Sequence, residues 1–344
     1  MPRITTIKAD FRPPPGLTHR HVQTLLPLLL PRAPLQFETE LLALPDGDEV
    51  ELCWANGAPE DARAPIMVLF HGLEGSVYSP YARALSKMAI ERGWRTVVMH
   101  FRGCGRVPNR MARSYHAGDT ADGWWLLSTL GRRYPNAHKV AVGVSLGANM
   151  LLKLASEQGG DGLDLAGAIA ISPPLDLAAC ADAINQGFSR YYQRHMLASM
   201  KRKVAAHIRD GRLDRPGLEQ LRRIDTFWAF DNEVTAPLHG FRSATDYYQR
   251  ASAGPLLDRI ELPTLILHAA DDPLMPNNLF DRVARPSPSV RIELAEHGGH
   301  VGFIEMRHGL LRSWLARRVG EQLDSWRYLL PGQTRRSDIA SPMR

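Results

Sequence analysis

Gly143-Val144-Ser145-Leu146-Gly147 fits the pattern G-x-S-x-G, in which a serine hydroxyl is presented on a tight turn as a nucleophile. The pentapeptide alone is a weak signal, and its setting gives it weight. It follows the apolar run Val140-Ala141-Val142 and opens a helical stretch near Leu146, so the serine occupies a strand-to-helix turn too tight for Cβ atoms on its glycine neighbours. A serine hydroxyl becomes reactive when an adjacent base takes its proton and a third group orients that base. In chain order Ser, acid, His, the search leads to Leu265-Ile266-Leu267-His268-Ala269-Ala270-Asp271-Asp272-Pro273 and then to Glu296-His297-Gly298-Gly299-His300-Val301-Gly302-Phe303. The spacing predicts Asp272 as the orienting acid in preference to Asp271, because the turn that begins at Pro273 presents the side chain just before it. Asp271 reads as a turn-capping or solvated residue. His300 lies among glycines at the end of the last strand and is the predicted base, with His297 a loop histidine.

An acyl-transfer centre also needs backbone donors aimed at developing negative charge, each worth ~3–4 kcal/mol. The sequence predicts the N–H of Leu146, directly after the serine, and the N–H of Leu73, in the His71-Gly72-Leu73-Glu74-Gly75 loop after the strand ending at Phe70. Other chemistries find less support. There is no H-E-x-x-H, no cysteine pair at zinc spacing, and no third ligand for His297 and His300, so no metal is expected. Arg102-Gly103-Cys104-Gly105 is neither a phosphate loop nor a dinucleotide fingerprint, so no cofactor is expected, and Cys104 reads as a small turn residue.

These residues need a scaffold that delivers them to one place. Ile66–Phe70, Arg95–His100, Lys139–Val144, Ala166–Ser172, Leu265–His268 and Val290–Leu294 are short apolar runs. Helical stretches alternate with them at Pro80–Arg92, Asp119–Arg133, Leu146–Gln158 and finally Phe303–Val319. That alternation predicts an α/β fold with a mostly parallel sheet flanked by helices. Phe37–Leu44 and Val50–Trp54 flank Pro45-Asp46-Gly47-Asp48 as a hairpin. Between Pro173 and Leu262 no strand is predicted, and Met196, Met200, Val204 and Ile208 mark an amphipathic helix. A helical insertion there would form a lid over the carboxyl ends of the strands, where ligands bind in such sheets. The expected organisation is a core from 1–176, with an irregular N-terminal segment 1–36, a helical cap 177–258, a second core part 259–330 and a polar tail 331–344.

Composition bounds the rest. The chain has 344 residues, 44% hydrophobic and 23% charged, with a net charge of +6, which excludes a disordered or fibrous class. Three scattered cysteines, Cys53, Cys104 and Cys180, imply no disulfide framework and fit a reducing cytosol. The N-terminus lacks the pattern of a signal peptide, and the apolar run Leu25–Leu30 is too short to cross a bilayer. The basicity is local: Ser189–Arg223 holds ten basic residues against three acidic ones, a net of +7, so the remainder stands at −1. No nucleic-acid-binding motif accompanies it, and no nucleic-acid partner is expected. A solvated helix face is one reading; contact between the cap and an anionic membrane surface, peripheral to an otherwise cytoplasmic protein, is the other.

The chain resembles the YheT-type α/β-hydrolases, the AB hydrolase 4 family. The resemblance runs through His21-Val22-Gln23-Thr24, Phe70-His71-Gly72-Leu73-Glu74-Gly75, Phe101-Arg102-Gly103-Cys104-Gly105 with Pro108-Asn109-Arg110, and Ser114-Tyr115-His116-Ala117-Gly118-Asp119-Thr120. It continues through the turn at Ser145, Asp246-Tyr247-Tyr248, Asp271-Asp272-Pro273 and Gly298-Gly299-His300-Val301-Gly302-Phe303. Arg106 stands where that family would place a small residue. The resemblance implies an α/β-hydrolase fold and a Ser145, Asp272, His300 triad. It also implies a carboxylesterase or acylglycerol lipase acting on short- to medium-chain acyl esters through an acyl-enzyme, with alcohol O-acyl transfer as the alternative.

Overall fold

The computed structural model describes residues 4–32, 34–106, 108–159 and 162–327; the polar tail expected at 331–344 lies outside them. Five apolar runs form the central strands β4 (Ile66–Phe70), β5 (Arg95–Met99), β6 (Lys139–Val144), β7 (Gly167–Ile171) and β8 (Thr264–Ala269), almost every residue of which is buried. Burial on both faces is what a continuous apolar strand requires, and these strands pair in parallel. β9 (Val290–Ala295) and the two-residue β1 (Ile7–Lys8) extend the sheet at one edge in parallel. The hairpin of β2 (Phe37–Ala43) and β3 (Glu49–Ala55) closes the other edge, with β3 antiparallel to β5. The nine-stranded order is β1-β9-β8-β7-β6-β4-β5-β3-β2.

Two cores form, one on each face of the sheet. Helices α2 (Pro80–Glu91) and α11 (Trp314–Trp326) pack Leu85, Met88, Trp314, Leu315 and Val319 against Met67, Leu69, Val140 and Val142. Helices α3 (Ala121–Arg133) and α4 (Leu146–Gln158) place Leu126, Leu130, Met150 and Leu151 against Val68, Phe70 and Ala141. From β4 the chain moves to β5 on one side, then returns to lay β6 on the other. This reversal of strand order opens a crevice at the carboxyl ends of β4 and β6. The loop after Phe70 and the turn at Ser145 are therefore neighbours, with Phe70 and Gly143 in register.

Between β7 and β8 the chain is helical: α5 (Leu177–Ile184), α6 (Ser189–Arg209), α7 (Leu218–Arg223), α8 (Phe227–Phe230), a π-turn at Asp231–Thr235, α9 (Ala236–Leu238) and α10 (Ala244–Ala251). Part of this segment has a small core of its own, Leu197, Val204, Leu221, Ile224, Phe230 and Val234. The four-residue spacing of Met196, Met200, Val204 and Ile208 lies within α6.

Two expectations are corrected. The segment 1–36 is not irregular throughout: besides β1 it contains helix α1 (Arg20–Leu29), with Pro27 inside. Apolar periodicity missed it because the residue that α1 buries completely is Gln23, a polar one. The chain after Phe303 is also not one helix. It first forms a hairpin, β10 (Ile304–Arg307) and β11 (Leu310–Ser313), whose two-residue turn has both His308 (φ 50°) and Gly309 (φ 73°) left-handed. That conformation matches the twist of paired strands. Ser313 then caps α11 by accepting from the N–H of Ala316.

Candidate active site

Ser145 sits between β6 and α4 with φ 53° and ψ −117°, a conformation that an L residue holds only where its surroundings over-determine it. The surroundings are backbone. A Cβ on Gly147 would lie 2.5 Å from the carbonyl oxygens of Phe70 and His71, and one on Gly143 would lie 2.5 Å from that of Gly147. The Ser145 N–H donates to the Ile171 carbonyl at 2.8 Å, tying the turn to β7. Both glycines of the pentapeptide are thus required by close approach.

The other two residues arrive from separate strand ends. His300 Nε2 lies 2.9 Å from Ser145 Oγ, and His300 Nδ1 lies 2.8 Å from Asp272 Oδ2. Asp272 is almost wholly buried, and its Oδ1 accepts from the Leu274 N–H at 2.9 Å. With Oδ1 so occupied, Oδ2 is the acceptor for an Nδ1–H, which leaves the Nε2 lone pair facing the serine hydroxyl. Asp271 points elsewhere: its Oδ1 accepts from the Gly299 N–H at 2.9 Å, and its Oδ2 stands 3.6 Å from His297 Nδ1. Burial raises its pKa above the ordinary carboxylate value.

The loop after β4 passes directly over the serine. A Cβ on Gly72 would lie 3.2 Å from Ser145 Cβ. The amides on either side of Leu73 are engaged, Gly72 N–H with Tyr81 Oη and Glu74 N–H with Tyr115 Oη, both at 2.9 Å. Tyr115 in turn donates to Glu74 Oε1, which also accepts from Lys203 Nζ of α6 at 2.8 Å. His71 is buried and its pKa is lowered to about 3 by that burial. It is neutral, with Nε2 accepting from the Phe101 N–H and Nδ1 2.7 Å from the Gly72 carbonyl. Sequence reading missed the anchors Tyr81, Tyr115 and Lys203; nothing in their spacing marks them, since each reaches the loop from a different element.

Beside Ser145 lies a cavity of about 120 Å³ lined by Leu73, Leu146, Leu177, Ile184, Met196, Met200, Phe227, Leu274 and Met275. Its walls are apolar apart from a few groups such as Asp231, which accepts from Thr235 Oγ1 and Tyr248 Oη and whose pKa is raised to about 6 by burial.

Among the described residues, two groups of side chains could in principle ligate a metal ion, Glu51 with Cys53 and His100, and His116 with Asp119 and His239. In the first, His100 is spent between Glu51 Oε1 and the Val77 N–H, and the Cys53 thiol is pushed up to about 12 by burial. In the second, Arg113 binds Asp119 Oδ1, the Gly118 N–H donates to His116 Nδ1, and Arg102 adds positive charge. That field opposes a cation.

Residues 65–306 match the family model described as alpha/beta hydrolase fold. The chain is similar to YheT of Escherichia coli (strain K12), a protein named as an esterase, with 43% identity over 92% of this chain and 94% of that one. It is similar to a monoacylglycerol lipase of Saccharomyces cerevisiae, 30% identical over 75% of this chain and 58% of the yeast protein. Among solved structures, the Pyrococcus furiosus esterase Pf2001 shares the fold with a TM-score of 0.54 at 15% identity, over 94% of this chain and 99% of that one.

Proposed function

Because the chain belongs to the α/β-hydrolase family, in its YheT branch, we propose that it is a serine hydrolase that cleaves carboxylic esters through an acyl-enzyme on Ser145. The observation that carries this reading is the continuous chain from Asp272 Oδ2 through His300 to Ser145 Oγ, at 2.8 and 2.9 Å. His300 Nε2 takes the Ser145 proton as Oγ attacks the ester carbonyl. The oxyanion that forms lies toward the N–H groups of Leu146, at the start of α4, and Leu73. His300 returns the proton to the leaving alkoxide. A water molecule, deprotonated by the same nitrogen, then attacks the acyl carbon, the Ser145 Oγ–acyl bond breaks to release the acid, and His300 gives the proton back to Oγ. No cofactor or metal enters these steps.

The cavity supports an acyl group of short to medium length. Each methylene moved from water into it contributes about 0.8 kcal/mol, or roughly fourfold in kcat/KM, until the space is filled. Monoacylglycerols are candidate substrates on the strength of the yeast relative. The relatives named above do not support acyl transfer to an alcohol, and hydrolysis is the reading carried forward. In the same proposal the helical segment 177–258 is a cap on a core made of 1–176 and 259–330, since Ile184, Met196, Met200 and Phe227 roof the cavity.

The cap's basic surface is proposed to meet anionic lipid. Lys201, Lys203 and Arg212 are turned to internal partners, whereas Arg190, Arg194, Arg202 and Arg209 are exposed along α6. No helix among the described residues is long and apolar enough to cross a membrane.

The test of the catalytic reading is Ser145→Ala with p-nitrophenyl butyrate, together with labelling by a fluorophosphonate probe. Loss of at least 10³-fold in kcat, with labelling abolished, is expected. Activity that survives the substitution, or probe attached to another residue, overturns it.

A further inference from the structure

The loop that carries His300 is held in an unusual shape. From Gly298 to Phe303, four residues lie at positive φ: Gly298 (150°), Gly299 (59°), Val301 (60°) and Phe303 (46°). Valine and phenylalanine enter that region only when neighbouring structure forces them to. A loop under such strain relaxes if the contacts that oppose relaxation are removed, and the His300 ring would move with it.

Those contacts come from α1, the helix that the expected irregular N-terminal segment turned out to contain. Thr24 Oγ1 accepts from the backbone N–H of His300 at 2.9 Å and is itself fixed by donating to the Arg20 carbonyl at 2.8 Å. One residue earlier, Gln23 is fully buried. Its Oε1 accepts from the Ile304 N–H at 2.8 Å, and its Nε2 donates to the Ile304 carbonyl at 3.3 Å and to the Leu17 carbonyl at 2.7 Å. The side chain acts as one unit of β-pairing for the residue that follows the strained loop. The fit is close on both sides of His300. A Cβ on Gly299 would lie 2.4 Å from the Arg20 carbonyl oxygen, and one on Gly302 would lie 2.1 Å from that of Gln23. Pro27 lacks the N–H that would ordinarily bond the Gln23 carbonyl in a helix, so the usual i+4 bond is missing at the carbonyl that faces Gly302.

Resting on the reading of His300 as the base, we propose that Thr24 is a positioning residue for it. Its hydroxyl, fixed by donating to the Arg20 carbonyl of α1, clamps the His300 amide, while Gln23 holds Ile304 beyond the loop, so that the imidazole reaches both Ser145 Oγ and Asp272. Thr24 bonds the His300 backbone and the Arg20 carbonyl, not the imidazole or Ser145 Oγ. Its effect is therefore on the rate of proton transfer and not on substrate binding, because small displacements of a catalytic group lower rates by up to about 100-fold.

The experiment compares Thr24→Val, which keeps the shape and removes the acceptor, with Thr24→Ser, which restores the acceptor without the methyl. Ser145→Ala is assayed in parallel on p-nitrophenyl butyrate, and melting temperature and fluorophosphonate labelling rate are measured throughout. Expected results are a 10- to 100-fold fall in kcat and in labelling rate for Thr24→Val with KM within twofold of wild type, and values within threefold of wild type for Thr24→Ser. If Thr24→Val does not fold, Thr24→Ala takes its place, with the same expectation. The inference is overturned if Thr24→Val keeps wild-type kcat while Ser145→Ala is inactive, if the serine variant is as impaired as the valine one, or if KM changes and kcat does not. Activity in Ser145→Ala brings down the triad reading and this inference with it.

Discussion

Replacing Asp272 by asparagine tests the proposed chemistry at the group furthest from the substrate. The substitution is isosteric, and the site dictates how the amide must orient. Oδ1 of Asp272 accepts from the Leu274 N–H at 2.9 Å, so the asparagine oxygen takes that place and its NH2 group faces His300 Nδ1 across the former 2.8 Å contact. A donor at that position requires Nδ1 to be the acceptor and moves the ring proton to Nε2. Nε2 then presents an N–H to Ser145 Oγ and cannot take the serine proton. The opposite rotamer would set NH2 against the Leu274 N–H in a site where Asp272 is 1% exposed, leaving buried donors unpaired. A wrong tautomer with intact geometry lowers kcat by about 10⁴ in triads of this kind, equivalent to ~5.5 kcal/mol of transition-state stabilisation. The assay is steady-state hydrolysis of p-nitrophenyl butyrate at neutral pH, with Asp271→Asn as the control. Asp271 accepts from the Gly299 N–H and neighbours His297, away from the His300 ring, so its loss is expected to lower kcat by no more than about tenfold. Asp272→Asn retaining a tenth of wild-type kcat, or Asp271→Asn proving the more damaging, would refute the reasoning.

Three further outcomes follow from the same geometry. Asp231 has its pKa raised to about 6 by burial, so the stability its proton confers is present below pH 3.8 and lost as pH rises through 6; relative to Asp231→Asn, wild type should lose up to about 3 kcal/mol in urea unfolding between pH 4 and 7, and parallel pH curves would contradict this. Gly147→Ala places a Cβ 2.5 Å from two carbonyl oxygens and should destabilise by at least ~2 kcal/mol by thermal melting, whereas Gly217→Ala, with open space around it, should stay within about 0.5 kcal/mol. Sedimentation with anionic vesicles at low salt should retain the wild-type protein and lose it at high salt or with Arg190, Arg194 and Arg202 changed to Glu; equal binding to neutral vesicles would exclude the charge-based contact.

Reading the chain from sequence worked where the physical signal is local. Strands β4 to β9 were legible because strands buried on both faces must be apolar runs, and the glycine–serine turn because tight backbone packing excludes side chains. The region around α1 was opaque: its buried face is built on Gln23, two of whose hydrogen bonds reach Ile304, 281 positions away, and Pro27 argues against a helix on local grounds. The hairpin β10–β11 is not separable from a helix in the sequence, because Ile304, Leu310 and Leu311 suit either period and the deciding turn is two residues long.

The types and order of Ser145, Asp272 and His300, the glycines that a nucleophile turn needs, and the location of the basic charge are properties of the sequence. The turn at Pro273 already points to Asp272 in the sequence; tertiary structure adds the Leu274 and Gly299 amides that hold the two adjacent aspartates in different directions. Tertiary structure decided that Tyr81, Tyr115 and Lys203 brace the Leu73 loop, and that Thr24 and Gln23 brace the His300 loop. Hydrogen bonds between distant elements have no period and no motif; they exist only once the sheet has brought the strand ends together.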